Sequence, residues 1–158
     1  MLKLAGAAII FAAAFLYGGN MCEKTKKKLA LTEALGDFIS YIGESIETFR
    51  LPLGRIFEDY QNGFLQEIGF LDILRRDGFA AAICSVEKDL PPEMFDQLCT
   101  FAGAIGGGYA SEQAKLCAFT KERLCGVCAN LRTQLPGRLK MYRLLPLLAA
   151  ASVLLLII

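Results

Sequence analysis

Arg138-Leu-Lys-Met-Tyr-Arg143 and the run behind it, Leu144-Leu-Pro-Leu-Leu-Ala-Ala-Ala-Ser-Val-Leu-Leu-Leu-Ile-Ile158, decide how the chain is read. The run carries no charge, and Ser152 is its one polar side chain. A helix packed on a soluble core shows a polar face. This run has none, so a bilayer is its better environment. At ~1.5 Å per residue it covers only ~22 Å, short of a hydrocarbon layer ~30 Å thick. To cross, it needs help from Leu139 to Tyr142 and some thinning of the bilayer; the alternatives are an end buried in a partner or lying in the interface.

The other end mirrors this one. After Lys3 the chain is apolar from Leu4 to Gly19, and Glu23-Lys24-Thr-Lys26-Lys27-Lys28 closes the segment. A basic start before a small-residue apolar stretch also describes a secretory signal. The lysines after the stretch argue against export, because Lys and Arg beside a membrane segment mark its cytoplasmic side. Asn20-Met21 before Cys22 is not the small pair a lipoprotein signal requires. The basic collars, Lys24, Lys26, Lys27 and Lys28 on one side and Arg138, Lys140 and Arg143 on the other, thus face the same compartment. The expected organisation is a membrane helix over residues 1–21, a cytoplasmic domain over 22–137, and a collar with a second membrane helix over 138–158.

The net charge of +1 hides an asymmetry. Eight of the seventeen bases but one of the sixteen acids lie outside residues 29–137, a net of +7, which leaves −6 inside. An acidic domain disfavours nucleic acid, which needs basic patches. The collars suit anionic lipid headgroups, and a basic protein partner suits the domain.

Between the anchors, helical periodicity is the only one that persists. Leu31, Leu35, Phe38, Ile42, Ile46 and Phe49 recur at threes and fours and predict one amphipathic helix, in which Gly36 and Gly43 admit a close neighbour or mark weak points. Arg50-Leu51-Pro52-Leu53 ends it, since the residue before proline leaves the α region and proline favours a helix start. A short helix follows to Gln61 with Leu53, Ile56, Phe57 and Tyr60 inward, and Asn62-Gly63 breaks it. Phe64, Leu65, Ile68, Leu71 and Leu74 predict a further helix, with Arg75-Arg76 in its last turn and Gly78 as its stop. Phe79, Ile83 and Val86 line the next. After Asp89-Leu-Pro-Pro92, another helix turns Phe95, Leu98, Ala102 and Ile105 inward and ends at Gly106-Gly107-Gly108. Ser111 is placed to cap a last helix running to about Gln134 and ending at Leu135-Pro136-Gly137. The predicted fold is all-α, a bundle of about six helices between two terminal transmembrane helices.

Chemistry-bearing patterns are few. The glycine triplet has no Gly-Lys-Ser/Thr after it and no strand before it, so it is a turn and not a phosphate loop. Cys125-Gly-Val-Cys128 has the spacing of a redox pair or half a zinc site. The chain has no histidine, and its six cysteines include no second such pair. Cys117 and Cys128 fall on one stripe with Leu124, Leu131 and Leu135, where cysteine acts as a small hydrophobe. Paired acids such as Glu44 with Glu47, or Glu93 with Asp96, are ordinary on solvated helices. The reading is therefore of a chain that is not an enzyme and carries no cofactor. A doubly anchored protein with a thiol-based metal or ligand site is the alternative.

Several features, in order along the chain, resemble the stage III sporulation protein AB family. They are Met1-Leu2-Lys3-Leu4 with Gly6, the basic exit from the first segment, Ile46 to Leu51-Pro52-Leu53, the helix holding Gln113, and Lys140-Met-Tyr142-Arg143-Leu144. The resemblance implies a soluble helical bundle similar to the cytoplasmic domain of type II secretion F and type IV pilus platform proteins. It also implies a place in the mother-cell membrane facing the forespore, with other channel subunits and a cytoplasmic ATPase of the stage III sporulation protein AA type as partners. If the first helix rises ~27 Å from the membrane over ~18 residues, the turns at 50–54 and 90–93 face such an ATPase first. Glu44, Glu47, Glu58, Asp59, Asp89 and Glu93 flank them and form the expected contact surface.

Overall fold

The computed structural model describes residues 2–157, with side chains described from 13 to 148 apart from 14, 15, 138, 142, 143 and 145–147. Among the described residues it is all-α: α1 (Leu2–Phe49), α2 (Leu53–Asp59), α3 (Gly63–Glu67), α4 (Phe70–Asp77), α5 (Phe79–Ser85), a 3₁₀ turn (Glu87–Asp89), α6 (Pro92–Ala104) and α7 (Ala110–Ile157). Two compact units result, one of residues 1–27 with 131–158 and one of residues 28–130, the latter shorter at both ends than the expected 22–137.

In the second unit α1 supplies the spine. Leu31, Leu35, Phe38, Ile39, Ile42 and Ile46 are buried at the predicted spacing. Phe49, which the periodicity placed inward, is instead 70% exposed. Phe38 is the hub of an aromatic cluster, its ring centroid 4.6 Å from Tyr60, 5.9 Å from Phe79, 6.0 Å from Phe57 and 6.2 Å from Phe70. Rings at such separations add to the gain from their burial. The short helices close over this hub: α4 packs on α2, α3 and α5, and α5 on α6.

The predicted helix through Phe64 and Leu74 is two helices. Gly69 stands in the left-handed region (φ 75°) between α3 and α4, a conformation glycine adopts without steric cost, and the rotation swings Phe70 into the core in place of Ile68. Asn62 caps α3 by accepting the Leu65 N–H at 3.1 Å. Arg75 donates to the Tyr60 carbonyl at 3.0 Å and the Glu58 carbonyl at 3.4 Å. Those acceptors are the orphan carbonyls at the negative end of α2, where a cation is favoured. In α6 the buried positions are Met94, Leu98 and Phe101, with Phe95, Ala102 and Ile105 only flanking the core.

Both long helices outrun their expected bounds. α1 is unbroken from the first segment into the spine, and α7 continues through Leu135-Pro136-Gly137. Proline removes one helical hydrogen bond and crowds the carbonyl four residues back. In the first unit the two helices are paired just beyond it, where the Cys22 thiol lies 3.8 Å from the Leu139 carbonyl. Among the described residues no helix is long and apolar enough to cross a membrane. The segments expected to cross, 1–21 and 138–158, lie largely outside the described side chains.

Candidate docking surface

The C-terminal end of α1 meets the N-terminal end of α7. α1 stops because Arg50 takes a left-handed conformation (φ 51°) while its N–H still bonds the Ile46 carbonyl at 3.1 Å. Glycine usually fills this capping position, and an L-residue there costs about 1–2 kcal/mol. Pro52 then starts α2, accepting from the Arg55 and Ile56 N–H groups at 3.0 and 3.2 Å. Facing this turn is the glycine turn. Gly106 and Gly108 have φ of 94° and 85°, and a Cβ on Gly106 would sit 3.3 Å from the Leu53 Cδ1. Gln113 ties the turn down by donating to the Gly107 and Gly108 carbonyls, each at 3.4 Å.

α7 is not capped by Ser111, which lies inside it. The Tyr109 N–H is bonded instead by the Glu112 carboxylate at 3.3 Å, the reciprocal half of a capping box. Tyr109 itself is 79% exposed.

Two grooves open where these turns meet. One, of about 570 Å³, is floored by Ile46, Ala110, Ala114 and Ala118 and edged by Glu47, Arg50, Tyr109 and Lys115. The other, of about 450 Å³, runs from Arg50 through Pro52 and Leu53 to Gly106, Gly108 and Gln113. Among the described residues Glu47, Arg50 and Lys115 take part in no ion pair. An apolar floor with an exposed Tyr and Arg on its rim has the composition of protein-binding hot spots.

The six acids expected at one surface are all exposed but are not brought together. Glu47 edges the first groove, with Glu44 about one turn before it in α1. Asp59 pairs with Arg55 at 3.5 Å beside Glu58 at the end of α2. Glu93 lines a third groove, of about 410 Å³, with Asp96, Phe119 and Arg123. The correction follows from the hairpin. α6 and α7 are joined by the glycine turn and face each other from 93–101 to 116–123. The start of α6, with Asp89 just before it, therefore lies at the hairpin's open end, about 18 Å at 1.5 Å per residue from the glycine turn that Leu53 touches. The turns at 50–54 and 90–93 occupy opposite ends of the hairpin.

Sequence reasoning passed over Arg50, Tyr109 and Lys115. The available signal was an arginine at a helix C-terminus just before Leu-Pro, and an aromatic residue directly after three glycines.

The thiols sit in different settings. Cys117 is buried against Gly43, whose absent Cβ would lie 3.0 Å from the Cys117 Cβ, and burial pushes its thiol up to about 11. Cys99 is also raised, first by burial and then by Cys84, Asp96 and Glu87 nearby. Cys125 is exposed and Cys128 half-buried. Among the described residues no three of Cys, Asp and Glu gather as a metal site. In the collars, Lys24, Lys26, Lys27 and Lys140 are exposed and Lys28 half-buried, while the side chains of Arg138 and Arg143 lie outside the described residues. Comparison with known proteins gave no match to a family model, to a curated protein or to a solved structure.

Proposed function

We propose that this chain is a non-catalytic membrane adaptor, a platform subunit of a secretion-like channel between mother cell and forespore that docks a cytoplasmic assembly ATPase. The observation that carries the proposal is the groove edged by Arg50, Tyr109 and Lys115 with Phe49 exposed beside it, an anchor-rich surface left open at the end of a well-packed helical unit. The order of features shared with the stage III sporulation protein AB family supplies the kind of partner. Anchoring is supported by Leu16, Tyr17, Leu144 and Leu148, exposed side chains next to the lysine collars, and by lysine placement that favours a cytoplasmic domain. Of the six acids, Glu44 and Glu47 adjoin the groove and belong to the proposed contact; Asp89 and Glu93 do not.

Co-purification of the full-length chain from membranes with the candidate ATPase tests the proposal. Arg50→Glu with Tyr109→Ala should lower recovery of the ATPase about tenfold or more, the usual loss when hot-spot residues are truncated, with helix content unchanged. Recovery should also weaken with salt, since exposed charges are screened within ~10 Å at 0.1 M. ATPase recovery that ignores both the substitutions and salt would place the contact elsewhere.

A further inference from the structure

We infer that the two basic collars form one site, and that its ligand is the phosphate of an anionic phospholipid headgroup; the inference rests on the membrane reading above. The collars are remote in sequence, yet the Cys22 thiol and the Leu139 carbonyl, 117 residues apart, lie within 3.8 Å. At ~1.5 Å and ~100° per residue, Lys26 sits within about 6 Å of that contact along one helix and about 40° around it from Cys22, on the side turned to the other helix, where Lys140 lies within about 2 Å. Cations from both helices thus reach one level, close enough for lysine side chains to meet at a single phosphate.

Two further observations say what the site takes. Lys24, Lys26, Lys27 and Lys140 are exposed, and none is in an ion pair among the described residues. Glu23 stands four residues before Lys27, the spacing at which a helix commonly pairs such charges, and still no pair forms. Met141 and Leu144 beside Lys140, and Leu16 and Tyr17 about two turns before Lys24, are exposed on the same two helices. Unpaired lysines next to exposed aliphatic side chains and a tyrosine are the composition of a headgroup boundary, where the stems of the lysines lie along apolar surface and their ammonium groups meet phosphate. A polyanion without acyl chains would leave the apolar residues uncovered, so the lipid is the better fit.

The test titrates a fluorescent phosphatidylglycerol into the full chain held in neutral detergent, with phosphatidylcholine as control. A lysine near an anionic lipid contributes roughly fivefold in affinity. Lys140→Gln and Lys26→Gln should therefore each weaken phosphatidylglycerol binding about fivefold, and the two together about twentyfold or more, with helix content unchanged. Either variant should shift the whole binding curve, because the collars share the ligand. A curve that keeps half its amplitude at the original midpoint would overturn the shared site. Equal binding of phosphatidylcholine, or full competition by inorganic phosphate at the same concentration, would overturn the lipid. Extraction by alkaline carbonate is read separately. Release of the chain from membranes would break the spanning reading without altering the binding curve, which needs no bilayer.

Discussion

Phe38 and Gly43 stand five residues apart on α1, about 140° around the helix, and hold their neighbours in opposite ways. Phe38 gathers four rings from the short helices within 6.2 Å of its own. Gly43 contributes no side chain, and the Cys117 Cβ of α7 comes to 3.0 Å from where one would be. One face of the helix binds by filling volume and the other by leaving it empty. The filled face closes into a sealed core. On the empty face small residues continue along α7 through Ala114 and Ala110, and the seam opens into the groove at the end of α1. The groove proposed as the docking surface is thus a consequence of how α1 and α7 pack.

The contrast is broken most severely at Phe38. Phe38→Ala should destabilise the chain by about 3–5 kcal/mol, the range for a buried aromatic that leaves a cavity behind, measured by denaturant unfolding. A loss under about 1 kcal/mol would mean that the ring cluster does not organise the unit. Next comes Gly43→Val, which forces side-chain atoms against Cys117 and should cost about 1–3 kcal/mol by overpacking. Pairing it with Cys117→Gly should recover much of that loss, since contacting residues couple. Additive costs would show that the two helices do not meet there.

The same two residues mark what sequence could disclose. A helix period depends on which residues are large, so the spine of α1 was legible from Leu31 to Ile46, and so were the all-α class and the stops at Pro52 and Asn62-Gly63. Gly69 was read as part of a helix because a glycine's conformation is decided by what must be buried on either side of it, here Phe70. Pro136 was read as a stop because proline removes a helical hydrogen bond, yet α7 continues through it. The groove was not legible either. Its floor beyond Ile46 is Ala110, Ala114 and Ala118, which recur every four residues but are too small to mark a buried stripe, and its rim joins Arg50 to Tyr109 only once α1 and α7 are side by side.

Cys117 sharpens the comparison through pH. Its folded thiol titrates at about 11, above an ordinary 9.0. The unfolded chain therefore loses this proton first, and the folded state binds more protons between the two values. Stability should be complete below pH 9 and fall as pH rises from about 9 to 11. Cys117→Ala should remove that part of the decline and cost roughly 1 kcal/mol at neutral pH through loss of a small buried group. A decline unchanged by the substitution would assign it to other groups, such as Tyr60, whose phenol burial also raises.

Arg50→Gly tests whether the groove's edge is strained. With φ at 51°, glycine removes a left-handed penalty of about 1–2 kcal/mol at some cost in chain entropy. The variant should be more stable by about 1 kcal/mol while binding its partner less well. A stabilised variant with unimpaired binding would make the arginine a capping accident.

The smallest effect expected is at Gly36, the internal control for Gly43. Both glycines lie inside α1, and the sequence gives no reason to separate them. A Cβ at Gly36 meets nothing within 4 Å, whereas at Gly43 it meets Cys117. Gly36→Ala should therefore show only the intrinsic preference of a helix interior for alanine, a stabilisation of about 0.5–1 kcal/mol. The two positions then differ in sign on one helix, because α7 approaches at one of them and nothing does at the other. If Gly36→Ala destabilises as Gly43→Val does, a neighbour packs at that level too, and close approach is a property of the whole helix and not of the seam that ends in the groove.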